Sequence, residues 1–138
     1  MKIVFVFSLP HKKLNPNQQY KNHMAHARLK KERKWSIKMD SIRQIRVKGL
    51  PDNMKWEKAT VSIKWYAATM NFPDGDNALA SLKSTIDGIC AAGLLLDDNH
   101  LLCSTPKFYK DAKHPRVEMT FTKTRTANEA PGRDYIAE

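Results

Sequence analysis

The chain has 138 residues, enough for one hydrophobic core and few for two ordinary domains. Its 24 Lys and Arg against 14 Asp and Glu leave a formal charge of +10, a field that gathers polyanions. Nucleic acid is the commonest such partner, although composition alone leaves open a merely soluble basic protein and a ribosomal or membrane-surface binder.

The first apolar run, Ile3 to Phe7, is too short for a membrane span or a signal-peptide core, so residues 2–8 read as a buried strand stopped by Leu9-Pro10. Residues 11–19, with Pro16 between two Asn, read as an extended loop. Residues 20–47 lack Gly and Pro and are dense in Lys and Arg. Ala25, Leu29, Ile37, Ile42 and Ile45 supply a broken apolar stripe, so a long basic helix is expected until Gly49 and Pro51 end it. Residues 56–70 alternate Val61, Ile63 and Trp65 against Thr60, Ser62 and Lys64, the pattern of a half-buried strand.

After a turn at 71–75, residues 77–92 place Leu79, Leu82, Ile86 and Ile89 on one helical face, with Gly93 as the C-terminal cap. Residues 101–109 and 117–124 read as two further strands, and 126–138 as a loosely held polar tail. Cys90 and Cys103 lie in separate apolar stretches without zinc spacing, as expected of reduced core residues in a cytoplasmic protein. The order of elements predicts an α+β domain with a small mixed sheet and helices packed on it.

The acidic residues are unevenly placed. Five of the 14 fall between Asp74 and Asp98 in an otherwise basic chain. A carboxylate cluster repels itself unless a cation neutralises it, and Mg²⁺ or Mn²⁺ favours such oxygen donors. Bland readings stand beside that one. Asp76 or Asn77 can cap the helix, Asp74-Gly75 can make the turn, and Asp97-Asp98 can belong to an ordinary connection. The two ends of the helix that separates these acids lie about 20–25 Å apart, so convergence requires the chain after Gly93 to run back alongside it. A calcium loop starting at Asp74 is excluded, because Ala78 and Thr85 stand where oxygen donors are needed.

Lys83 and Asp87, one turn apart, read as a surface pair or as an ammonium placed over a phosphate. His23 and His26 read as a solvated helix face, and His11, His100 and His114 form no motif with them. Phe72 is expected in the core, with insertion between bases as its functional alternative.

Taken together, the run DGDNALASLKSTIDGICAAGLLLDD resembles the signature of the RusA-like endodeoxyribonucleases, the crossover junction (Holliday junction) resolvases. That signature joins an Asp-x-Asp-Asn motif, a helix with Lys and Asp, an Ala-Gly turn and an Asp-Asp pair. Here these are Asp74, Asp76, Asn77, Lys83, Asp87, Ala92-Gly93 and Asp97-Asp98, about a fifth of the chain. One spacing departs from the family's best-known member, since Lys83 lies six residues after Asn77, about one helical turn further on.

The resemblance implies an endonuclease domain over residues 1–125, followed by the tail, and a homodimer that nicks two symmetric strands of a four-way DNA junction with Mg²⁺ or Mn²⁺. It implies no organic cofactor and no membrane. It makes Asp74, Asp76 and Asp98 the catalytic carboxylates on the metal, with Asp97 beside them. Lys83 would stabilise transition-state charge, Asn77 would shape the loop, and Asp87 would position Lys83 or pack. Lys30, Lys31, Arg33, Lys34 and Lys38 of the basic helix would hold the DNA arms. The competing expectations are a junction- or single-strand-binding protein without catalysis, and an RNA-binding protein indifferent to metal.

Overall fold

A computed structural model describes residues 1–11, 14, 23–96 and 101–124. Its elements are β1 (Lys2–Phe7), α1 (His23–Val47), β2 (Ala59–Ala67), α2 (Gly75–Ser81), α3 (Lys83–Ala91), β3 (Leu101–Cys103), β4 (Lys107–Lys110) and β5 (Arg116–Lys123). Most of the expected loop at 11–19, the start of the expected helix (20–22), Asp97-Asp98 and the tail at 126–138 lie outside the described residues.

Period-two alternation makes the sheet two-faced. In β1, Ile3, Phe5 and Phe7 point to the core, as do Val61, Ile63 and Trp65 of β2 and Val117, Met119 and Phe121 of β5. β5 lies between β1 and β2 and runs antiparallel to both, while β3 and β4 follow one another along the other flank of β2, parallel to it. This is a mixed sheet in an α+β domain. Three helices, among the described residues, complete it.

The covered face carries α1 and α3. Ile37 and Ile45 from α1, Leu82 between the short helices, and Ile86 and Ile89 from α3 close over the sheet residues. Each large apolar side chain so buried contributes about 1.5–3 kcal/mol. The α1–α3 crossing is tight because of Gly88. A Cβ there would sit 2.6 Å from the Lys34 carbonyl oxygen and 2.7 Å from Ile37 Cβ. Gln44 of α1 ties the helix to the sheet by accepting from Val6 N–H at 3.2 Å and donating to Val6 C=O at 2.9 Å.

Four sequence expectations change. The stripe expected on α1 holds at Ile37 and Ile45, buried, and at Leu29 and Ile42, half-buried; Ala25 is exposed, and Ser41, Gln44 and the half-buried Arg33 widen it. The helix expected over 77–92 starts at Gly75 and is two helices, α2 and α3, meeting at Leu82 with φ −88° and ψ 0°. The strand expected over 101–109 is β3 and β4, interrupted at 104–106, where Pro106 has no N–H to give a ladder. The strand expected over 56–70 is shorter, with Trp56 making only an isolated bridge to Leu95. Among the described residues no helix is long and apolar enough to cross a membrane.

Candidate active site

The turn after β2 delivers Asp74 in an extended conformation, φ −61° and ψ 150°, at the N-cap position of α2. Its carbonyl accepts from Ala78 N–H at 2.8 Å, but its side chain makes no capping hydrogen bond. Asp76 follows in the first turn, and both residues are exposed. The capping account therefore does not consume either carboxylate. Asn77, next in line, is half-buried.

Past Gly93 the chain reverses. Gly93 takes φ +96° and packs against Asn53, so a side chain there would be both strained and obstructed. The segment that follows pairs beside the approach to β2: Gly93 C=O accepts from Lys55 N–H, Leu94 C=O from Trp56 N–H, and Trp56 C=O from Leu96 N–H. The pairing resumes with Leu101 opposite Ala59 and continues through β4, where Phe108 lies opposite Trp65.

The stretch after Asp97-Asp98 thus returns antiparallel to α2 and α3. It passes Lys83, whose charge is felt at the Cys103 thiol, and reaches the start of α2, where a Cβ on Gly75 would lie 2.9 Å from Thr105 Cγ2. Phe72, just before Asp74, stacks on Phe108 with centroids 5.3 Å apart, which fastens the acidic turn to β4 and confirms Phe72 as a packing residue. The return thus brings Thr105 to the acidic turn, whereas Leu101, the first described residue after Asp97-Asp98, pairs at the far end of β2 opposite Ala59.

Lys83 opens α3 and donates to Asp87 Oδ1 at 3.1 Å; their side chains are 60% and 34% exposed. A pair so exposed contributes at most about 1 kcal/mol to stability. Lys83 also borders a cleft of about 490 Å³ between α1 and the α2–α3 layer, where His26 and Lys30 face Leu79 and Ala80. The cleft joins one expected phosphate contact, Lys30, to the expected transition-state cation.

The other cations divide. Lys31 and Lys34 are exposed and Lys38 is half-buried. Arg33 is committed elsewhere: its guanidinium donates to Thr85 Oγ1 at 3.1 Å, Ser8 Oγ at 3.0 Å and the Ser8 carbonyl at 2.6 Å. Burial lowers its pKa from the ordinary arginine value, partly offset by Asp40. Arg33 joins α1, α3 and the end of β1. Its place one turn before Ile37, on the core-facing stripe, was the signal for that role.

Among the described residues no three His, Cys, Asp or Glu side chains come together as a metal-holding group. Asp74 and Asp76 supply two hard oxygen donors without protein partners in the described structure, a donor set suited to a cation that retains several waters. Neither a protein-family model nor a curated protein matches the chain.

Proposed function

We propose that this protein is a metal-dependent, structure-selective endodeoxyribonuclease of the RusA-like kind, resolving four-way junctions by paired symmetric nicks as a homodimer. The observation that carries the reading is the exposed pair Asp74 and Asp76 at the start of α2, two carboxylates not consumed by capping in a chain of charge +10.

Mg²⁺ or Mn²⁺ would be held by Asp74 and Asp76 together with Asp98, and with Asp97 beside them. Such an ion activates water and offsets charge on a phosphate under attack. The chain's own residues bind and orient. Lys30, Lys31, Lys34 and Lys38 hold the sugar–phosphate backbone, and Lys83 brings positive charge to the phosphate with Asp87 fixing its ammonium. Asn77 shapes the acidic turn. Arg33 acts through the placement of α1 rather than by touching DNA. A two-fold dimer suits a junction that presents two equivalent phosphates.

The test is strand cleavage of a synthetic four-way junction with Mg²⁺, Mn²⁺ or EDTA, comparing the natural chain with Asp76→Asn. Paired nicks that need metal and fall at least ~100-fold in the variant are expected. Tight junction binding without nicks under either metal would overturn the proposal in favour of a non-catalytic branched-DNA binder.

A further inference from the structure

The face of the sheet opposite α1 and α3 carries an open aromatic stack. Tyr109 of β4, Tyr66 of β2 and Arg116 of β5 occupy one row across three strands, since Tyr66 is the register partner of both the others. Arg116 Cζ lies 3.9 Å from the centroid of the Tyr66 ring. On the other side of Tyr66, the Tyr109 ring stacks at 5.2 Å between centroids and 25° between planes. The guanidinium is fixed by Asp111 at 2.8 Å and Glu118 at 2.7 Å, so the stack has a rigid inner end. Its outer end is different. β4 pairs only with β2, and Tyr109 remains 41% exposed, so no described strand continues the row.

The adjacent row places Lys107 beside Lys64, both exposed, with Glu118 of β5 opposite Lys64 and already bonded to Arg116. An exposed ring that ends a cation–π stack, next to two exposed ammonium groups, complements one ligand: an unpaired nucleobase and its flanking phosphates. Bases within a duplex are already stacked on both faces, and a five-stranded sheet is too broad for a groove that admits a two-stranded ribbon.

We infer that this row of Tyr109, Tyr66 and Arg116 is a stacking platform for single-stranded DNA, with Lys64 and Lys107 on its phosphates. It lies on the opposite side of the sheet from the basic helix and is a second nucleic-acid surface. The choice of DNA over RNA rests on the proposed nuclease function; the stacking does not. β4 follows directly on the Thr105 stretch that meets Gly75, so a strand crossing the sheet edge there would link the platform to the acidic turn.

The experiment is fluorescence anisotropy of a labelled oligothymidine about a dozen nucleotides long. It is titrated with the full chain and with Tyr109→Ala, Tyr109→Phe, Lys107→Ala and, on α1, Lys31→Ala. Tyr109→Ala should raise Kd roughly tenfold, while Tyr109→Phe, which keeps the ring, stays within about twofold. Lys107→Ala should reduce the slope of log K against log salt by about 0.7. Unchanged affinity in a folded Tyr109→Ala protein overturns the inference, as does a Tyr109→Ala protein that loses self-association, because a second copy would then cover this face. Tighter Tyr109-dependent binding of oligouridine overturns the choice of DNA. The two proposals fail separately: Tyr109-dependent strand binding without junction cleavage sinks only the nuclease reading, and cleavage with Tyr109-indifferent strand binding sinks only this one.

Discussion

Cys103 offers a chemical probe of Lys83, because thiol and ammonium influence one another across the edge of the sheet. Burial raises the pKa of the thiol above its ordinary range, and the Lys83 charge pulls part of that back. The thiolate is the reactive form, so a raised pKa means slow alkylation at neutral pH and a rate that climbs only in alkaline solution. Lys83→Gln removes the opposing charge, raising the thiol pKa further and slowing the reaction at every pH below it. Iodoacetamide labelling in a Cys90→Ser background, followed against pH, measures this. Labelling that speeds up in Lys83→Gln would mean that the Lys83 charge does not act on the Cys103 thiol.

At the level of elements, the α1–α3 crossing opposes two effects of known size. Gly88→Ala should gain about 1 kcal/mol from helix propensity. It should lose more, because the new methyl would meet a backbone carbonyl at 2.6 Å, and backbone cannot swing aside as a side chain can. Net destabilisation of about 1–3 kcal/mol is expected, seen as a lower urea midpoint with unchanged slope. Stabilisation would mean that the helices are not this close.

The same elements show what the sequence makes legible. β1, β2 and β5 follow from alternation, and α1 from a long stretch without Gly or Pro. The split of α2 from α3 was hidden, since Leu82, Ile86 and Ile89 keep helical spacing through the join and the break costs no buried residue. The gap between β3 and β4 escaped the reading of 101–109 as one strand, although Pro106, which has no N–H for a ladder, was the signal for it. The stripe on α1 was obscured because Arg33, Ser41 and Gln44 are polar residues on its core side, serving hydrogen bonds or burial that only the third dimension reveals. The platform was equally hidden: Tyr66, Tyr109 and Arg116 are 43 and 7 residues apart in the chain and are united only by strand register.

For the molecule as a whole, the charge of +10 should express itself through counterions. If α1 holds duplex arms, each of Lys30→Ala, Lys31→Ala and Lys34→Ala should lower the salt slope of junction binding by about 0.9. Arg33→Ala should leave that slope alone and instead lower the thermal midpoint, since its removal strands Thr85 and the Ser8 carbonyl. Equal slope losses for Arg33 and its neighbours would contradict the bonding described for it. The candidate site was legible as a motif but not as a place, because spacing along a chain does not say which of its acids meet. The grip of Gln44 on Val6 carries a different consequence. Both outward-facing backbone groups at that point are occupied, so β1 cannot serve as a template on which an incoming chain zips its own strand without first prising α1 away. That plug works against fibre growth, and any two-fold partner would have to assemble through some surface other than the Val6 stretch of that border.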